Sequence, residues 1–338
     1  MLETSKKFIW SGIGTVLLAC VVYVIFSFWQ FVNAPLLSPG KPAVEFVYAK
    51  GTSTYALSRQ LATQGILSNP YYFFILGHID GSMRSLQAGQ YQITPEMKPR
   101  DLLARMIRGE VNMQTFTIVE GWTFHQMLKA LQSNTYVTHT INNLSDDAIM
   151  QAIGYAGDRP EGRFAPDTYL FHTGVKDVAL LHIAFGLMEK RVAEAWDKRN
   201  LSIPFHCTYD ALIAASIIEK ETALAKERPI IAGVLVRRLA KNMPLGMDPT
   251  VFYGLFQDYS VNHKLTHEDI LKDTPYNTYM HRGLPPTPIC MPGKEALEAA
   301  LHPASGDVLY YVSKGDGSHH FSKTLEEQDN AIRKYQKQ

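Results

Sequence analysis

The sequence predicts an α+β protein with a single N-terminal transmembrane helix, and three observations lead to that class. Residues 8–32, "FIWSGIGTVLLACVVYVIFSFWQFV", hold no charged side chain. Residues 44–113 read as a small α/β unit of strand, two helices, strand and helix. Residues 114–338 read as mainly helical, with long loops rich in glycine, proline and tyrosine. The chain has 338 residues, 46% of them hydrophobic, with a formal net charge of +1, enough for one or two sizeable domains. No basic bias favours nucleic acid as a partner.

The apolar run is long enough to cross a hydrocarbon core of about 30 Å as a helix. Lys6 and Lys7 precede it and no cation follows until Lys41, so the positive-inside rule holds residues 1–7 in the cytoplasm and puts everything after Val32 outside. The segment Ser27–Phe31 is bulky and aromatic, like an interfacial belt, where a cleaved signal peptide would carry small residues. Residues 33–43, "NAPLLSPGKPA", suit an extended tether leaving the membrane.

Folded structure resumes with the alternating strand "VEFVY". Leu57, Leu61 and Ile66 recur near helical spacing, and the next helix opens with Asn69 as cap and Pro70 at its first position. The strand "AGQYQITP" and the helix "PRDLLARMIRGE" complete the unit. Cys20 falls inside the membrane span, which leaves Cys207 and Cys290 far apart in sequence, either free or bridged.

In "ASIIEKETALAKE", residues 215–227, two glutamates lie two places apart. A helix over residues 209–226 puts Glu221 on one stripe with Ala214, Ile217, Ile218, Leu224 and Ala225. Glu219 falls nearly opposite, among Ala215, Ser216, Thr222 and Ala223, where Lys220 and Lys226 solvate the face. Glu221 is therefore the carboxyl expected to be desolvated, and desolvation raises a carboxyl pKa toward the value a general acid needs near neutral pH. The competing reading is that Glu221 borders the core or pairs with Arg228.

The segment "ASIIEKETALAKERPIIAGVLVRRLAKNMPLGMDPTVFYG", with "EGRFAPDTY" before it and "PYNTYMHRGLPPTPICMPG" after it, resembles the YceG-like endolytic murein transglycosylases. The resemblance covers nearly the whole chain, and "LQAGQYQITPEMKPRDLLARMIRGE" looks like the family's LysM-like segment. It implies a LysM-like glycan-binding domain at residues 44–113 and a lytic transglycosylase domain at 114–338, outside a bacterial inner membrane in the periplasm. The family's catalytic glutamate lies in "EKET", and the resemblance carries it onto Glu221. It implies peptidoglycan glycan strands as substrate, the cell-wall synthases as partners, and no cofactor. The reaction implied is cleavage of the β-1,4 bond between N-acetylmuramic acid and N-acetylglucosamine with closure of a 1,6-anhydro ring. One carboxyl can serve both steps, first as acid and then as base.

Other candidates for glycan contact are Glu161, Asp167 and Tyr169 in "EGRFAPDTY", Asp248, Thr250 and Tyr253 in "GMDPTVFYG", and Asn277 and Tyr279 in "PYNTYM". Carboxylates, amides and tyrosines can bond sugar hydroxyls and cover an apolar sugar face. The same residues can equally cap helices and brace turns. Arg163 and Ala165 depart from the aromatic or bulky residues common in the family, and Thr287 stands where glycine is common. His263 and His267 have i, i+4 spacing and His319 and His320 are adjacent, but no third ligand joins them, so no metal site is expected. Two other function classes are a hydrolytic muramidase, with Glu161 or Asp248 activating water, and a non-enzymatic glycan-binding scaffold.

Overall fold

The computed structural model describes residues 2–49, 51–79 and 81–336, with side chains from Ile13 onward except that of Ser82. The side chains of Lys6 and Lys7, on which the orientation rests, lie outside the described residues, as do Lys337 and Gln338. Two compact units emerge: Met1–Gln114 with Phe171–Thr173, and Thr115–Leu170 with Gly174–Gln338.

In the first unit, helix α1 (Leu2–Asn33) leaves Val16, Leu17, Leu18, Val22, Tyr23, Ile25 and Trp29 each more than half exposed. A helix apolar all round and uncovered by protein fits a single-pass membrane anchor. Residues 33–43 do not form the expected free tether. Leu36 and Leu37 are buried with Phe31 and Val32 in the unit's core, and the Leu36 N–H donates to the Met97 carbonyl (2.8 Å). Burying each leucine stabilises by roughly 1.5–3 kcal/mol, which outweighs the extended bias of the prolines around them.

Strands β1 (Val44–Tyr48) and β2 (Gly89–Ile93) pair antiparallel, Val44 opposite Ile93 and Tyr48 opposite Gly89. Between them run α2 (Thr54–Thr63) and α3 (Pro70–Ile79), and α4 (Pro99–Arg108) follows. The local signals explain the boundaries: Asn69 Oδ1 accepts the Tyr71 N–H (3.0 Å), and Gly109 ends α4 in the left-handed region at φ 65°. Leu57 and Leu61 are buried on α2, while Ile66 reaches the same core from just beyond it.

Strand β3 (Met113–Ile118), whose first two residues belong to the first unit, leads in the second to α5 (Phe124–Gln132), β4 (Val137–Thr138) and α6 (Asp146–Ala152). Then come β5 (Asp167–His172), which pairs with β3, and β6 (Val175–Lys176), parallel to β4. The helical part is α7 (Asp177–Asp197), α8 (Thr208–Glu221), α9 (Arg228–Ala240), α10 (Asp248–Phe256), α11 (His267–Ile270) and α12 (Lys294–Leu301). The hairpin β7 (Tyr310–Ser313) and β8 (His319–Ser322) and helix α13 (Leu325–Tyr335) close the chain. Every residue from Ala211 to Ile218 is buried, so α8 runs through the core, against α7, α9, α10 and α12.

Helix α8 is shorter than its apolar pattern predicts. It stops at Glu221, and Thr222 is extended (φ −148°, ψ 136°). The Thr222 hydroxyl accepts the Leu224 N–H (3.1 Å) and donates to Glu227 (3.3 Å), a local capture of backbone that competes with helix continuation. Leu224 and Ala225 therefore do not extend the Glu221 stripe.

Candidate active site

Glu221 is the last residue of α8, one turn beyond the buried Ile217 and Ile218. The residue as a whole is half-buried, yet its Oε1 is closed off from solvent and has no hydrogen-bond partner. Burial pushes its pKa up to about 8. The Tyr311 hydroxyl and, more weakly, Arg238 pull it down, while the charge of Asp248 adds to the rise.

Glu219 contradicts the expectation of a solvated face. Its side chain is 8% exposed, bridged to Arg228 at 3.3 Å, and its Oε2 accepts the Gly293 N–H at 2.9 Å. Burial raises its pKa, and the Gly293 N–H and Arg228 oppose that rise. Arg228, the partner considered for Glu221, instead joins Glu219 to Glu295 and so ties α8 to α9 and α12. The helical repeat holds as far as Glu221, and the helices that cover the Glu219 face are not visible in it.

Two side chains arrive from far along the chain, Tyr311 at Glu221 and His319 at Glu227. Tyr311 lies on β7, and His319 on β8 shares its face, with ring centroids 5.4 Å apart. His319 Nδ1 meets Glu227 Oε2 at 2.7 Å and the His319 N–H donates to Glu227 Oε1 at 3.1 Å. Glu227 also receives the Thr222 hydroxyl, so one hairpin face holds both the carboxyl and the residue that follows it. Arg238 is fixed by donation to the carbonyls of Leu309 (2.7 Å) and Leu245 (2.6 Å). None of Tyr311, Arg238, Glu227 and His319 was singled out for this role from sequence; the one available signal was the alternating "YYVSKGDGSHHFS", which reads as a hairpin without saying what it faces.

Of the residues expected to meet glycan, Asp248 and Tyr279 stand with Glu221. The Tyr279 hydroxyl donates to Asp248 Oδ1 (2.7 Å), and both influence or feel the Glu221 charge. Beside them, Lys220, Asp248, Pro249, Phe252, Tyr259 and Leu265 line an open hollow, with Lys220 Nζ 3.8 Å from the centre of the Tyr259 ring.

Glu161 and Tyr253 form a second, buried pair. The Glu161 carboxylate accepts the N–H of Phe124 on both oxygens (3.1 Å each), the Gly162 N–H (3.2 Å) and the Tyr253 hydroxyl (2.9 Å). Burial raises its pKa to about 7 against these donors. Gly162 has φ +76°, and a Cβ there would come within 2.4 Å of Pro288, so only glycine lets this loop sit against that proline.

The other candidates spend their polar atoms on the scaffold. Thr250 donates to the Met247 carbonyl (2.7 Å) and meets the Thr278 hydroxyl (2.8 Å). Asn277 donates to the carbonyls of Ile270 and Lys272 (2.8 Å each). On β5, Asp167 bridges to Arg191, and the Tyr169 hydroxyl donates to the Ala165 carbonyl (2.6 Å). Arg163 lies over the Phe185 ring at 4.8 Å, and Thr287 bonds the Tyr276 hydroxyl at 2.8 Å. His263 pairs with Asp269 (2.7 Å). Cys290 is buried and Cys207 exposed, both free.

A family model described as the YceG-like family matches residues 46–334. An endolytic murein transglycosylase of Bacillus subtilis strain 168 is 28% identical over 325 residues, which cover 89% of this chain and 87% of that protein. The protein of the same name from Streptococcus pneumoniae D39 is 24% identical over 88% of this chain, and the match spans 59% of that longer protein. The crystal structure of a YceG-like protein from Listeria monocytogenes superposes with a TM-score of 0.53 at 28% identity, over 86% of this chain and all of that one.

Proposed function

This chain belongs to the YceG-like family, and on that premise we propose that it is an endolytic murein transglycosylase in which Glu221 is the catalytic acid and base. The observation that carries the assignment is the Glu221 Oε1, shut off from solvent and left without a partner on a carboxyl whose pKa is about 8. Such a group keeps its proton near neutral pH, as a general acid must.

The protonated carboxyl gives its proton to the oxygen leaving the muramic acid C1 as the β-1,4 bond breaks. The carboxylate formed takes the proton of the C6 hydroxyl as that oxygen closes on C1, which gives the 1,6-anhydro end and restores the acid. No water enters, so a second carboxylate as base is unnecessary. In this reading Asp248, held by Tyr279 and close enough for its charge to act on Glu221, is the negative charge that steadies the positive charge developing on the sugar ring.

Residues 44–113 act as the LysM-like glycan-holding domain and residues 114–338 as the transglycosylase domain. The anchor places residues 1–7 in the cytoplasm and the folded units in the periplasm, outside the inner membrane. There the enzyme acts beside the cell-wall synthases on new strands and limits their length. The full chain in detergent, incubated with un-crosslinked glycan strands, should yield anhydro ends by mass spectrometry. Products heavier by one water would assign a hydrolase, and no cleavage by a folded, strand-binding protein would assign a scaffold.

A further inference from the structure

Helix α3, "PYYFFILGHI", contains no Asp, Glu, Lys or Arg. Its inner stripe of Phe73, Leu76 and Gly77 is buried, as an amphipathic helix requires, yet its outer stripe is apolar too. Tyr71, Ile75 and Ile79, at i, i+4 and i+8, are 60%, 43% and 70% exposed, and the other exposed residue of the helix, His78, lies on the Phe74 ring with its Nδ1 at the Phe74 carbonyl. Tyr55 of α2 extends the patch, its ring 6.4 Å from that of Tyr71 and 6.0 Å from that of Phe74. Helix α4 of the same unit is the ordinary case: its exposed positions are Arg100, Asp101 and Arg108. A water-facing helix normally looks like α4, and a continuous apolar stripe such as that of α3 marks a contact surface.

Helix α1 indicates what covers the stripe. Tyr72, beside Tyr71 at the start of α3, packs edge-on against both Phe28 and Phe31, with centroids 5.6 Å apart in each case. Phe28 lies five residues before the end of α1 at Asn33, about 7 Å back along the helix axis. A side chain touching Phe28 therefore sits at the depth of lipid headgroups when α1 crosses a bilayer. Just there α1 carries Phe26 and Trp29, 58% and 62% exposed, the aromatic residues favoured at a membrane interface. Because Leu36 and Leu37 are packed into the core, the unit has no free tether on which to drift from this depth.

We propose that the outer face of α3, with Tyr55, rests in the headgroup region of the bilayer that α1 crosses, so that the first unit is docked on a lipid surface as well as anchored through it. Tyrosines suit this position because the ring enters the acyl boundary while the hydroxyl stays among polar headgroups. Arg59, exposed on α2 beside Tyr71, supplies a cation toward lipid phosphate at the rim.

The inference rests on α1 spanning a membrane and is independent of the assignment of Glu221. The test uses the full chain with Cys20→Ser and Cys207→Ser, the buried Cys290 left in place, and a single nitrobenzoxadiazole-labelled cysteine at Tyr71, Ile75, Ile79 or, as control, Arg108. Proteins are reconstituted in phosphatidylcholine–phosphatidylglycerol vesicles, and co-flotation reports the anchor separately. The expected result is iodide quenching at least threefold weaker at positions 71, 75 and 79 than at 108, together with quenching by lipids spin-labelled near the headgroup. Iodide access equal to that at 108 would overturn the proposal. Protection without lipid quenching would also overturn it, because a protein surface would then cover the stripe. Failure to co-float would remove the anchor and the docking together.

Discussion

Glu161, a buried residue, and Glu221, half-buried with its Oε1 closed off, are both glutamates of the second unit, and desolvation raises both, to about 7 and about 8. They differ in what meets the carboxyl. Three N–H and O–H groups crowd Glu161, one of them bonded to both oxygens, and hold it across the start of α5. Glu221 keeps an oxygen that nothing in the fold satisfies. Desolvation alone thus does not make a proton donor; a buried carboxyl is available for chemistry only where the scaffold withholds its own donors.

The strongest way to break this comparison is Glu221→Gln, expected to lower turnover by about a thousandfold while the fold is retained, since the amide keeps the shape and cannot carry the proton. Stability supplies an independent check. The folded-state pKa of about 8 lies above the ordinary carboxyl value of 4.5, so the native state holds this proton through that window, and the group's contribution is full below it and lost as pH rises through about 8. The variant should match the wild type in denaturant unfolding at pH 4.5 and gain stability relative to it with each step toward pH 8. Equal pH profiles for the two proteins would show that Glu221 is not desolvated.

Glu161→Gln tests the other side of the contrast. An amide nitrogen facing the Phe124 N–H and the Tyr253 hydroxyl leaves a buried donor unsatisfied, so stability should fall by about 2 kcal/mol while turnover per folded molecule changes less than about tenfold. A folded variant without activity would make Glu161 part of the chemistry. Glu219→Gln should cost about 1–2 kcal/mol, because Arg228 keeps Glu295 and the amide oxygen can still accept from Gly293, and it should leave turnover within a few-fold. Loss of cleavage there, with Glu221→Gln still active, would exchange the two glutamates' roles.

The smallest expected effect sharpens the comparison. Tyr311 holds the Glu221 pKa down, so Tyr311→Phe should raise it, and the fall of kcat on the alkaline side should move to higher pH, with only a few-fold change at the optimum. An unmoved alkaline limb would separate the hairpin from the acid.

What the sequence determined by itself was local. An uncharged run made α1, Asn69 and Pro70 started α3, Asp248 and Pro249 started α10, and the spacing of Ala214, Ile217 and Ile218 put Glu221 on a buried stripe of α8. Each follows from one residue's backbone preference or from the helical repeat, which act within a few positions. The tertiary structure decided the rest: Leu36 and Leu37 entering a core, α8 ending at Glu221, Glu219 covered by Arg228 and Gly293, and Tyr311 and His319 reaching residues 221 and 227 from about ninety positions away. Burial of both stripes of α8 depended on which helices came to lie on them. A carboxyl's partners are chosen by distance in space, and the repeat of one helix holds no information about the elements folded against it.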